Sequence, residues 1–146
     1  MPGNKTRPQI LLIEDNKADV YLIRQAIRAA HIEADLHVLH DGHAATEFFD
    51  AADRDDNARC VDLILLDLNL PKKSGADVLM HLRKSRRCRD AVVLIVTSSD
   101  SARDREAAAA LTVAGYFRKP SDYGEFMKLG LMVRELLSAP KSEDVV

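Results

Sequence analysis

Four separated pieces of the chain end in side chains that could do chemistry together. Glu14-Asp15, Asp67, Thr97 and Lys119 each close an apolar run. The runs are Ile10-Leu11-Leu12-Ile13, Leu63-Ile64-Leu65-Leu66, Val92-Val93-Leu94-Ile95-Val96 and Gly115-Tyr116-Phe117-Arg118. Short apolar runs of this kind read as buried strands. In an open parallel sheet the carboxyl ends of the strands converge on one crevice. Three carboxylates, a hydroxyl and an ammonium would then meet there. That set suits a divalent cation beside a phosphoryl group.

The elements that must position these groups alternate from end to end. Asp15 or Asn16 caps a helix over 17–30, with Val20, Ile23, Ala26, Ile27 and Ala30 on one face. Residues 36–40 form a short, half-polar strand. Asp41-Gly42 turns the chain into a helix over 43–53, and charged residues 54–60 form a loop. The strand 61–66 is apolar on both faces, as a central parallel strand must be. Pro71 interrupts it, and Ser74 or Gly75 opens a helix through Lys84. A two-sided strand over 91–96 precedes a helix that starts at Asp100 or Ser101 and runs through Ala107–Ala110. The strand 115–118, Pro120 and a last helix from Asp122 to Leu137 complete the pattern. Right-handed crossovers between parallel strands limit the topology. The two-sided strands belong in the middle and the others at the edges. The expected fold is therefore a flavodoxin-like (βα)5 doubly wound parallel sheet, strand order 2-1-3-4-5, with its crevice between the first and third strands.

The bulk properties narrow the function. The chain has 146 residues, 47% of them apolar, which suits one domain with a sizeable core. That domain is expected over 9–138, with a flexible tail over 139–146. The net charge of −2 provides no electrostatic reason to expect nucleic acid. No apolar run reaches membrane-spanning length, and Met1-Pro2-Gly3-Asn4-Lys5 lacks the apolar stretch of a signal peptide. A cytoplasmic protein is expected, with Cys60 and Cys88 as reduced thiols. The basic run Arg83, Lys84, Arg86, Arg87 and Arg89 reads as solvated cations complementing a helix C-terminus. His37, His40 and His43 form no ligand constellation. On the last helix, Phe126, Gly130, Val133 and Leu137 make the stripe that faces the sheet, flanked by Leu129 and Leu136. Met127, Leu131 and Met132 lie off it. That excess of apolar surface implies association, and a homodimer through the last helix is expected.

In its ordered set of motifs the chain resembles the receiver domain of two-component response regulators. The matching pieces are Glu14-Asp15, Asp67-Leu68-Asn69-Leu70-Pro71 with Gly75, Thr97-Ser98, and Lys119-Pro120. The resemblance implies that Asp67 is the phosphoacceptor, taking a phosphoryl group from a phosphohistidine on a sensor histidine kinase. It implies Mg2+ as cofactor, with Asp15 and Asp67 as ligands, Glu14 holding a metal-bound water, and the backbone carbonyl of Asn69 as a further ligand. Lys119 and the Thr97 hydroxyl would bind phosphoryl oxygens, and Ser98 would leave room for the incoming group. The Lys119-Pro120 bond would be cis. Thr97 moving toward the phosphoryl group would let Tyr116 rotate inward and remodel the face made by the fourth helix, fifth strand and fifth helix.

Asp19 after Glu14-Asp15-Asn16, Lys72-Lys73-Ser74 after Pro71, and Ser99-Asp100 after Ser98 resemble regulators paired with phytochrome-type kinases. With no room for an output domain, a single-domain regulator is expected. It would be no enzyme beyond catalysing its own phosphorylation and dephosphorylation. The alternatives are a phosphorylation-independent receiver-like adaptor, a flavin-binding electron carrier of the same topology, and a phosphatase with an aspartyl nucleophile. The loop Glu14-Asp15-Asn16 would repel a flavin phosphate, and Asn69 stands where a phosphatase would need its second acid.

Overall fold

A computed structural model describes residues 7–139. Five parallel strands, β1 (Gln9–Ile13), β2 (Asp35–Leu39), β3 (Leu63–Leu66), β4 (Val93–Thr97) and β5 (Gly115–Arg118), form one sheet in the order β2-β1-β3-β4-β5. The helices between them are α1 (Lys17–Ala29), α2 (Gly42–Arg54), α3 (Gly75–Arg83) and α4 (Ala102–Ala110). The last helical stretch is two pieces, α5 (Tyr123–Met127) and α6 (Leu129–Ser138). They join at Lys128, where the N–H groups of Lys128 and Leu131 each donate to the carbonyl three residues back. This is a tightened turn rather than a bend away from the helical path.

Strand alternation assigns the two cores. Leu11, Ile13, Ile64, Leu66, Val93 and Ile95 face α2, α3 and α4, where Phe49, Val78, Leu79 and Leu82 pack. Ile10, Leu12, Leu63, Leu65, Leu94 and Val96 face α1, α5 and α6, where Ile23, Phe126, Leu129 and Val133 pack. Every residue of β3 and β4 is buried, whereas β2 and β5 stay half open, so the edge and centre assignments follow the polarity of the runs. α6 lies so close to α1 that a Cβ at Gly130 would stand 2.2 Å from the Ala26 carbonyl oxygen. The expected stripe of Phe126, Gly130 and Val133 is therefore the packed one, with Leu129 buried beside it. Met127 and Met132 pack partly against the same core, leaving Leu131, 54% exposed, as the large open apolar side chain of α6.

Two expectations are corrected. Cys60 and Cys88 are joined as a disulfide. They lie in the segments leading to β3 and β4, and adjacent parallel strands bring those segments together. The Lys119–Pro120 peptide is trans, since no cis bond occurs among the described residues. Lys119 reaches the crevice from the end of β5 without one. The tail beyond residue 139 and the first six residues lie outside the described residues. No described helix is long and apolar enough to cross a membrane.

Candidate functional site

Helix caps decide which polar groups remain for the crevice. Asn16 caps α1 by accepting from the Asp19 N–H at 3.0 Å. Asp15 is thereby left exposed and uncommitted at the end of β1. Ser74 caps α3 and Ser101 caps α4. α3 begins against the Asp67 backbone: a Cβ at Gly75 would stand 2.3 Å from the Asp67 carbonyl oxygen. The Gly75 N–H donates to Leu68 O at 3.0 Å. Glycine at this position is what lets the loop after β3 fold tightly under the site.

The register pairs Ile13 with Leu66, so Glu14 and Asp67 emerge side by side. Glu14, Asp15 and Asp67 bring carboxylate oxygens within 4.8 Å of one another. Glu14 is fully buried and Asp67 is 5% exposed. Asn16 N–H donates to Glu14 Oε2 at 3.1 Å, and Asn69 N–H donates to Asp67 Oδ1 at 3.0 Å. Lys119 Nζ donates to Glu14 Oε1 at 2.6 Å, Asp19 Oδ2 at 2.8 Å and Asp67 Oδ2 at 3.1 Å. The Lys119 backbone is set by its own N–H bond to Thr97 O at 2.8 Å.

Two carboxylates and an ammonium packed out of water shift one another. Burial pushes the Glu14 carboxyl from 4.5 up to about 7; the Lys119 ammonium works against that rise and the Asp67 charge adds to it. Burial also works against the Lys119 charge. Its bonds to Asp19 and Glu14 outweigh this, and the ammonium is held well above its ordinary range. One lysine is too little positive charge for the acids around it. The donor set is all oxygen and carboxylate-rich, which fits a hard divalent cation.

The predicted residues divide by position. Glu14, Asp15, Asp67, Asn69, Ser98 and Lys119 line one cleft. Thr97 is buried beside it, with Oγ1 accepting from the Ser99 N–H at 3.3 Å. Tyr116 is half-buried, and its hydroxyl donates to Ser99 O at 2.9 Å while the Arg105 guanidinium lies 4.2 Å over its ring. Burial raises the Tyr116 hydroxyl above its ordinary value. Ser99 thus touches both Thr97 and Tyr116, and its own hydroxyl donates to Asp104. Sequence reasoning gave Ser99 no role in that link and missed the ion pair of Asp19 with Lys119. The spacing Asn16-x-x-Asp19 was the available signal for Asp19, but it reads first as helix capping.

Arg83 departs from the expected solvated run. It is half-buried and donates to four carbonyls, those of Leu111, Arg89, Ala91 and Thr112, at 2.8–2.9 Å. Arg86 and Arg87 pair with Asp56.

A five-stranded parallel sheet in this order, with an acid cluster and a lysine at the carboxyl ends of its strands, is a flavodoxin-like sheet with its crevice where ligands of such sheets bind. The family model of the response regulator receiver domain matches residues 10–129, and the chain belongs to that family. Receiver domains accept phosphoryl groups and interact with histidine kinases. The chain is 35% identical over 120 residues to the response regulator Rcp1 of Synechocystis sp., covering 82% of each. It is 32% identical over 127 residues to the probable methanogenesis regulatory protein FilR2 of Methanothrix harundinacea, covering 86% of this chain and 81% of that one. Among solved structures, the phosphorylated cyanobacterial phytochrome response regulator RcpA superposes with a TM-score of 0.82 at 30% identity, over 93% of this chain and 98% of its own. The Mn2+-bound form of Rcp1 superposes with a TM-score of 0.79 at 32% identity, over 92% and 97%.

Proposed function

We propose that the chain is a single-domain response regulator, with its receiver unit over 9–138, that accepts a phosphoryl group on Asp67. The observation that carries this reading is the cluster of Glu14, Asp15 and Asp67 with Lys119 bonded to Asp67. A carboxylate oxygen of Asp67 attacks phosphorus of a phosphohistidine on the kinase. A P–O bond forms, the P–N bond breaks, and its electron pair stays on the imidazole nitrogen. Lys119 and the Thr97 hydroxyl take phosphoryl oxygens, and Ser98 leaves space for the group.

Asp15 and Asp67, with Glu14 and the Asn69 carbonyl, would hold Mg2+. When bound, it neutralises charge on the transferring phosphoryl group. Support for the metal comes from the oxygen-only donor set and from the Mn2+ in the related Rcp1 structure. Slow hydrolysis of the acyl phosphate at the same site would reset the protein.

Signalling follows from Ser99. When Thr97 turns its hydroxyl to the phosphoryl group, Ser99 N–H loses an acceptor and the loop holding the Tyr116 hydroxyl relaxes. Tyr116 then moves inward and changes the face formed by α4, β5 and the α5–α6 stretch. The similarity to the phytochrome response regulator RcpA favours a phytochrome-type kinase as partner. A homodimer through α6 would use Leu131, the large apolar side chain that α6 leaves exposed. Light scattering should return twice the chain mass, and one chain mass at every concentration, with phosphoryl analogue present, would remove the dimer.

The test of the reading is labelling with a small phosphodonor. The unmutated protein with Mg2+ should gain one phosphoryl group, and chelator or Asp67→Asn should abolish it. Equal labelling of Asp67→Asn would refute the site. No labelling under any condition would leave a phosphorylation-independent adaptor.

A further inference from the structure

A lysine ammonium has three hydrogens to donate, and on Lys119 three carboxylates take them all. Glu14 and Asp67 belong to the acid cluster; Asp19 does not. Asp19 stands on the first turn of α1, its backbone N–H held by Asn16 and its side chain 24% exposed. That turn is where the helix dipole favours a negative charge. The geometry points to Asp19 as a positioning residue for phosphoryl capture: it keeps Lys119 in the crevice when Glu14 and Asp67 turn their oxygens to a divalent cation.

This inference rests on the reading above. The physical reason is competition. Glu14 and Asp67 are wanted by the ammonium and by the cation, and like charges sharing those oxygens repel. Asp19 offers the ammonium an acceptor of its own, so Lys119 yields the cluster without leaving the site. Lys119 is then charge-compensated, within reach of Asp67, and has donors free for phosphoryl oxygens. Without Asp19 the lysine must either compete with the cation or swing away.

Two readouts on the full chain test this. Mn2+ affinity of the unphosphorylated protein is read from free Mn2+ by electron paramagnetic resonance. The rate of phosphoryl capture from phosphoramidate is read at saturating Mg2+. Asp19→Asn should weaken Mn2+ binding and slow capture, each by about ten-fold, the size of one charge-assisted bond. In a Lys119→Met background the same change should alter Mn2+ affinity by less than about two-fold, because Asp19 acts through the lysine. An undiminished effect in that background would mean that Asp19 acts only through its field, and would overturn the proposal. So would a faster capture by Asp19→Asn, since simple removal of negative charge should ease the approach of a phosphoryl dianion. Circular dichroism checks folding, and Lys119→Gln replaces Lys119→Met if the latter does not fold. If neither folds, the sign of the rate change in the single variant decides. If the unmutated protein captures no phosphoryl group, the receiver reading fails, and the Mn2+ affinities still decide the role of Asp19.

Discussion

Both ends of the sheet hold charge against the fold, buried at one and half-buried at the other, and they hold it in opposite ways. At the carboxyl end Glu14 has a lysine and a backbone N–H as partners, yet burial beside Asp67 pushes its carboxyl to about 7. At the amino end Asp53 accepts from the Ser85 hydroxyl and the Arg86 and Arg87 N–H groups, and these bonds hold its carboxyl below the usual range. Lys119 is shared by three mutually repelling carboxylates. Arg83 meets four neutral carbonyls, which take four of the five N–H donors of its guanidinium without adding charge. Those carbonyls belong to the end of α4 and to the α3–β4 segment, so Arg83 ties two connections together. The disulfide ties the α2–β3 segment to the same place. Only Arg87 Nε stays buried without a partner among the described residues. Apart from that atom the amino end meets its charges with partners of its own; the carboxyl end carries an excess of negative charge that a ligand can use.

The contrast can be attacked most strongly at Arg83. Arg83→Ala should cost about 4 kcal/mol in urea unfolding, because four carbonyls lose a charged donor. Phosphoryl capture by the fraction that remains folded should be unchanged at saturating Mg2+. A loss under about 1 kcal/mol would show that water replaces the guanidinium and that the clasp is not structural.

Opening the disulfide should act next. The bridged cysteines are 28 residues apart, and release of a loop of that size costs about 3.6 kcal/mol by the chain-entropy argument. Paired unfolding curves with and without reductant measure it. A reductant effect on capture rate larger than the effect on stability would couple the two ends and blur the distinction between them.

The smallest effect lies at Glu14 and has a defined sign. Its carboxyl is raised on folding, so the folded state binds the proton more tightly than the unfolded chain. The resulting stability is fully present below pH 4.5 and is lost as pH rises to about 7. Metal-free protein should lose stability across that window, and Glu14→Gln should flatten the slope. A metal-free profile that rises over the same window would sink the idea of an overcharged site.

The strand order and the central site were legible because both depend on polarity along the chain. A strand buried on two faces is apolar throughout, and a polar residue that ends it must lie at a sheet end. Glu14, Asp15, Asp67 and Lys119 were found that way. Helix starts were legible to within one residue, and the structure chose Asn16, Ser74 and Ser101 as the caps. Asp19 was hidden because an acid on a first helical turn has a sufficient local explanation. Arg83 was hidden inside a charged run in which Lys84, Arg86 and Arg89 are exposed.

What the sequence determined by itself was therefore every feature written as a local pattern: the alternation of elements, the 2-1-3-4-5 order, and the acids and lysine at the strand ends. What only the tertiary structure decided were pairings between distant segments: Cys60 with Cys88, Arg83 with the carbonyls after α4, Asp19 with Lys119, and Ser99 between Thr97 and Tyr116. Local patterns record which side of an element meets water. Pairings depend on the distances between elements once they are packed, and no spacing along the chain encodes those.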